Sequence, residues 1–261
     1  MQLLTQISLQ AKLRVGRAPA TLRLILDDIS LAVEPGEILA VMGPSGCGKS
    51  TLLRILAGLQ SPTTGTIAPD LLRSRLACVF QEPRLFPWYT VVENIALGLQ
   101  SRGIPTCDRL QRACTLADWV GLEEAALFYP HQLRGGMKQR VNLARAFAIE
   151  PHLLLLDEPL SALDMGTRQQ MQQRVLDWVK HHQAMAVLVT HDLSEAVTMA
   201  DRVVVMSACP ARIVYCWQNE RSPQDRTPAY VYRQISQLQA VPEIAASFGL
   251  EPDYFPSKTT I

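Results

Sequence analysis

The sequence predicts an α/β fold built on a parallel sheet covered on both sides. Two observations carry this. Short, unbroken apolar runs recur along the chain, and helix-like segments separate them. A third observation qualifies it: from about Pro83 to Glu150 the strand-like runs disappear, which marks a helical insertion in the α/β core.

Taken in order, Ile38 to Met42 reads as a buried strand running into a glycine-rich turn. Ser50 to Leu59 reads as a helix ended near Gly58 and Pro62. Leu76 to Phe80 is a second strand. In the insertion, Leu110, Ala113, Ala117 and Val120 fall at helical spacing, and Met137 to Ile149 is also helix-like. Leu153 to Leu156 is an apolar run before two acids, as expected of a strand buried on both faces. Ala186 to Thr190 and Arg202 to Met206 repeat that pattern. From about Gln218 the chain carries Pro223, Pro228, Pro242, Pro252 and Pro256, which predicts short helices and loops.

Composition narrows the function classes. Apolar residues make up 48% and charged residues 19% of 261, so the chain is globular rather than disordered. A net charge of +1 gives no hint of a nucleic-acid partner. None of the six cysteines forms a Cys-x-x-Cys pair, which argues against zinc or thiol redox chemistry and fits a reducing cytoplasm. The first ten residues lack the pattern of a signal peptide. No apolar run approaches the ~18 residues of a spanning helix, so any work at a membrane needs a partner to hold the chain there.

Gly43-Pro44-Ser45-Gly46-Cys47-Gly48-Lys49-Ser50-Thr51 matches the phosphate-binding loop Gly-x-x-x-x-Gly-Lys-Ser/Thr. Glycines let backbone N–H groups converge on phosphates, and the following helix points its positive end at them. In this pattern Lys49 reaches the β- and γ-phosphates and Ser50 ligates Mg²⁺. Alone the motif says nucleotide and no more. Asp157 and Glu158 stand at the end of the Leu153 to Leu156 strand, where ligands bind in open α/β sheets. Asp157 suits the Mg²⁺ shell, and Glu158 suits a general base that polarises water.

Leu133-Arg134-Gly135-Gly136-Met137 resembles the signature motif of ABC ATPases, which reads Leu-Ser-Gly-Gly followed by Gln or Met. Gln81 resembles the Q-loop glutamine of that family. Ser161-Ala162-Leu163-Asp164 resembles its D-loop, and His191 its switch histidine. The likeness runs from about Leu26 to Val214 with all elements in order. It implies a P-loop NTPase (RecA-like) core with a parallel sheet, in residues 1–82 and 150–217. It also implies an N-terminal antiparallel β portion, a helical insertion subdomain over 83–149 and a C-terminal tail over 218–261.

The resemblance further implies ATP and Mg²⁺ as ligands, with the metal held by Ser50, Gln81 and Asp157. Catalysis falls to Glu158, His191, Lys49 and Gln81. Two ATPase subunits, identical or not, close face to face, and the signature of each meets the ATP of the other. Gln81-Glu82-Pro83-Arg84-Leu85-Phe86-Pro87-Trp88, the segment Thr90 to Ile95, Met137, and Asp201 to Ser207 resemble importers of nitrate, sulfonates or taurine. Such a subunit sits peripherally on the cytoplasmic face of the inner or plasma membrane. Permease subunits hold it there, and an external substrate-binding protein delivers the cargo. Phe86, Trp88 and Tyr89 suit a permease-docking groove as well as the insertion's own core.

Two departures stand out. Residues 1–42 contain no Phe, Trp or Tyr to stack on adenine, so Arg14, Arg17 or Arg23 are the remaining planar groups. Arg134 replaces the signature serine. Arg134 favours a regulatory subunit that binds ATP and hydrolyses it poorly, whereas Glu158 and His191 favour the active enzyme. A small GTPase or kinase is disfavoured, because the chain has no Asn-Lys-x-Asp guanine-reading element. A DNA-repair or translation ATPase is disfavoured by the single ATPase unit without a long coiled coil.

Overall fold

The computed structural model describes residues 2–13, 21–68, 75–100 and 103–248. The chain falls into two compact units, residues 1–72 with 187–261, and residues 73–186.

The first unit holds β1 (Gln2–Leu13), β2 (Thr21–Ala32), β3 (Ile38–Met42), helix α1 (Lys49–Leu56) and β4 (Thr64–Ile67). The chain re-enters this unit within β7 (Met185–Val189), followed by α6 (Leu193–Met199), β8 (Arg202–Met206) and β9 (Ile213–Gln218). Helices α7 (Pro228–Gln239) and α8 (Pro242–Phe248) complete its described part. β1 pairs antiparallel with both β2 and β4, which is the antiparallel N-terminal portion expected from the family resemblance. β3 lies between β7 and β8 and runs parallel to β8, with Ala40 opposite Val203. All five residues of β3 are buried, as a strand covered on both faces requires. β9 runs antiparallel to β8 at the sheet edge. Its side chains alternate half-buried and exposed, the pattern of a strand with one wet face.

α1 spans Lys49 to Leu56 rather than Ser50 to Leu59. It stops because Gly58 adopts the left-handed backbone (φ 69°), and the Leu59 N–H then donates to the Arg54 carbonyl at 2.9 Å. The C-terminal segment is tied down through Arg226, whose side chain is 1% exposed. Its guanidinium donates to Asp201 Oδ1 (2.7 Å) and to the Thr198 and Arg221 carbonyls, while Asp201 Oδ2 accepts from the first N–H of β3. Burial lowers the Arg226 pKa, and Asp201 opposes that by stabilising the cation.

Among its described residues the second unit contains β5 (Leu76–Val79), β6 (Leu153–Asp157) and four α-helices. These are α2 (Val91–Gln100), α3 (Thr106–Trp119), α4 (Gly135–Ala148) and α5 (Met165–His181). β5 and β6 are parallel, with Cys78 opposite Leu155. Among the described residues, 80–152 hold no strand, in keeping with the helical insertion read from the sequence. α2, α3 and α4 pack on one another, and Gly98 lets α2 approach α4 closely: a Cβ there would lie 2.9 Å from the Arg145 carbonyl. Trp119, Phe147 and Trp178 form an aromatic cluster with ring centroids 4.9–6.1 Å apart. No helix among the described residues is long and apolar enough to cross a membrane.

Candidate active site

In the first unit, β3 delivers the chain into the phosphate loop and α1 carries it away. Gly43 must be glycine, because a Cβ would stand 2.8 Å from the Met206 carbonyl of β8. Gly48 has φ 116°, and a Cβ would meet Leu26 Cδ2 at 2.9 Å and Ile25 Cγ2 at 3.0 Å. β2 therefore presses directly on the turn into α1. Lys49 is 9% exposed, and its ammonium donates to the Gly43 and Pro44 carbonyls at 2.7 and 2.9 Å. Ser45, Gly46 and Ser50 are exposed, and Thr51 is half-buried. Cys47 is buried at the centre of the loop, and burial pushes its thiol pKa up against the opposing charge of Lys49.

His191 follows β7 in the same unit and is exposed. Its backbone is fixed from both sides. The Thr190 N–H donates to the Val41 carbonyl (3.3 Å), and Asp192 caps α6 by accepting from Ser194 and Glu195. The buried Thr190 hydroxyl also accepts the Asp192 N–H at 3.1 Å.

The second unit holds the other predicted residues. Asp157 ends β6 at 7% exposure, and Glu158 follows with a left-handed backbone, φ 46°. That conformation is uncommon for a non-glycine residue and costs about 1–3 kcal/mol, so the surroundings must enforce it. Gln81 Nε2 donates to Glu158 Oε2 at 3.0 Å, bringing the end of β5 to the end of β6. The D-loop begins in a turn, where the Ser161 hydroxyl donates to the Glu158 carbonyl at 3.0 Å. Arg168 then donates to the Leu163 carbonyl at 3.1 Å. Asp164 caps α5, and the Thr167 N–H that it accepts holds its carboxyl below the ordinary range.

The signature residues open α4. Leu133 is buried, Gly135 starts the helix, and Arg134 occupies the N-cap with an extended backbone and no side-chain cap. A cavity of about 480 Å³ lies at this helix start, lined by Arg134, Gly136, Met137, Arg140, Leu163 and Asp164. The signature and the D-loop thus share one surface of the second unit. Gly135 borders open space, whereas a Cβ on Gly136 would meet the Ala162 carbonyl at 3.1 Å.

Phe86, Trp88 and Tyr89 contact one another, with centroids 5.6–6.3 Å apart, and Trp88 is 65% exposed. They sit on a loop that Asn94 holds from beneath. Its side chain is fully buried, accepts the Phe86 N–H and donates to the Phe86 and Tyr89 carbonyls. Asn94 belongs to the Thr90 to Ile95 segment that carries the importer resemblance, though the sequence gives it no structural role, and Asn142 and Arg145 on α4 carry no sequence signal of their own. Of the arginines read as planar stand-ins for an adenine-stacking aromatic, Arg14 and Arg17 lie outside the described residues, and Arg23 is exposed.

A phosphate loop between a buried strand and a helix, in an α/β sheet with an acid pair at a strand end, defines a P-loop nucleoside triphosphatase. A family model described as "ABC transporter" matches residues 26–161. The taurine import ATP-binding protein TauB of Pseudomonas aeruginosa is 44% identical over 227 residues, covering 85% of this chain and 84% of that protein. The aliphatic sulfonates import ATP-binding protein SsuB 1 of Mesorhizobium japonicum is 51% identical over 189 residues, 71% of each chain. Among solved structures, a post-hydrolysis dimer of the ATP-binding cassette MJ0796 with ADP and phosphate superposes with a TM-score of 0.74. It has 28% identity and covers 85% of this chain and 100% of that one. The chain belongs to the ABC transporter family.

Proposed function

We propose that this chain is the ATP-binding and hydrolysing subunit of an ABC importer that takes up a small anion such as nitrate, a sulfonate or taurine. The observation that carries the reading is the hydrogen bond between Gln81 and Glu158, made where β5 and β6 end. It sets the proposed general base beside the proposed metal-sensing side chain, within a family whose named relatives import taurine and sulfonates.

In this reading the phosphate-loop amides and Lys49 hold the phosphate chain of ATP. Glu158 orients a water toward the γ-phosphorus and takes its proton as the bond to ADP breaks, and His191 contacts the γ-phosphate. The Ser50 hydroxyl, the Gln81 amide oxygen and the Asp157 carboxylate are hard oxygen donors of the kind that Mg²⁺ prefers. Bound Mg²⁺ would neutralise charge on the phosphates. Leu133 to Met137 of one subunit complete the ATP site of a second, identical or different, subunit. Permease subunits dock on the exposed aromatics Phe86 and Trp88 and hold the chain at the cytoplasmic membrane face. An external binding protein supplies the anion.

The test is reconstitution. Purified with its permease in vesicles, the chain should hydrolyse ATP, and a binding protein loaded with its anion should stimulate the rate. A complex that assembles but hydrolyses no ATP above background would favour the regulatory alternative that Arg134 raises.

A further inference from the structure

The loop carrying Gln81 is bracketed at both ends by side chains of the signature helix. Asn142 on α4 is 2% exposed, and its Nδ2 donates to the Phe80 carbonyl at 3.1 Å, immediately before Gln81. Arg145, one turn further along α4, donates through Nη1 to the Arg84 carbonyl at 3.0 Å, three residues after Gln81. The two are tied together, because Arg145 Nη2 donates to Asn142 Oδ1 at 2.9 Å. Within the loop, the Arg84 guanidinium lies 5.5 Å from the centre of the Phe80 ring. Burial lowers the Arg145 pKa without neutralising it, so a fixed cation sits under the loop. Gly98 of α2 lies against the Arg145 backbone carbonyl, leaving α4 little lateral freedom at this point.

We propose that Asn142 and Arg145 are positioning residues that fasten the Gln81 loop to the signature helix, so that loop and helix move as one body. The inference rests on the proposed ATPase reading for its catalytic consequence, though not for the clamp itself. Two loop carbonyls and one bridging pair fix the loop by its backbone, leaving the Gln81 side chain to report the position of α4 to Glu158. A shift of the Gly135–Gly136 end of the helix is then felt at the proposed general base through Asn142 and Arg145. A buried polar network that merely satisfied carbonyls would have no such effect on the Gln81–Glu158 contact.

Conservative variants separate the two roles. Asn142→Asp keeps the acceptor for Arg145 and loses the donor to Phe80. Arg145→Lys keeps the charge and loses the fork that reaches Arg84 and Asn142 together. In the permease complex each should lower kcat about tenfold, with KM for ATP and Tm little changed. In a Gln81→Ala background the further loss should shrink to about twofold or less, the non-additivity expected of residues acting through one another. Losses that multiply independently of Gln81, or that track a lowered Tm, would overturn the proposal. Hydrogen exchange of residues 80–86 reads the clamp directly. Arg145→Lys should speed exchange there while α5 is unchanged, and unaltered exchange also overturns the proposal. This second measurement stands even if the parent complex hydrolyses no ATP, an outcome that would sink only the proposed function.

Discussion

The carbonyl oxygen of Ala162 lies 3.1 Å from the point where a β-carbon on Gly136 would stand, with Leu163 Cδ2 at 3.2 Å. One turn of the signature helix is therefore seated on the backbone of the D-loop. Gly136→Ala should push that backbone by a few tenths of an ångström. Alanine favours the helix by up to about 1 kcal/mol over glycine, so stability should hold or rise. Activity should fall at least about tenfold, the equivalent of ~1.4 kcal/mol in the barrier. Thermal unfolding and steady-state hydrolysis measured on the same preparation check both halves. A fully active variant would show that the D-loop yields without consequence.

Glu158→Gln is expected to bind ATP with unchanged affinity and to turn it over about 10²- to 10⁴-fold more slowly. The glutamine keeps an oxygen to accept from Gln81, so the contact at 3.0 Å survives while the proposed base is lost. Turnover at the parent rate would remove Glu158 from the mechanism.

Arg134→Ser should raise both hydrolysis and stability. Arg134 already has N-cap backbone angles (φ −74°, ψ 161°) but makes no side-chain cap. A serine oxygen there would accept an N–H of the first turn, a gain of about 0.5–2 kcal/mol. It would also replace a long guanidinium at a surface that the proposed function brings against phosphate. A higher Tm with a lower rate would identify Arg134 as a working phosphate ligand.

Alkaline pH should destabilise the protein through Cys78. Burial raises its thiol from the ordinary 9.0 to about 11. Below pH 9 the thiol is protonated in both folded and unfolded chains, and its full contribution is present. As pH rises toward 11 the unfolded chain releases the proton first, so stability drains away by at most roughly 2–3 kcal/mol. Urea midpoints of the parent and of Cys78→Val, followed from pH 8 to about pH 11, should diverge in that window. Parallel curves would rule this contribution out.

The strand β3 with the turn into α1, strand β6 and the strand-free stretch after β5 were legible because each is a local pattern with a local cause. β3, β6 and β8 announce themselves as unbroken apolar runs, and Gly43 and Gly48 stand where no Cβ fits. β1 and β2 were not located individually, because their segments mix polar and apolar residues without a clean period, and only the family resemblance called for an antiparallel portion. β9 was missed for a related reason, since an edge strand with one wet face lacks the apolar run that marks a central one. Asn142 and Arg145 read as ordinary polar positions on a helix, and Asn94 carries a family resemblance without its structural role. The partners of Asn142 and Arg145 are carbonyls 62 and 61 residues away, a relationship that no window of sequence contains. Gln139 is less legible still: it is 1% exposed, and both of its side-chain polar atoms are buried without a hydrogen-bond partner.

Lys49 rests on two carbonyls of its own loop, Gly43 and Pro44. The loop's own backbone thus carries the positive charge that the proposed reading aims at a phosphate chain. Nucleotide capture in that reading should be speeded by long-range attraction to the Lys49 ammonium, and its rate should fall as ionic strength rises.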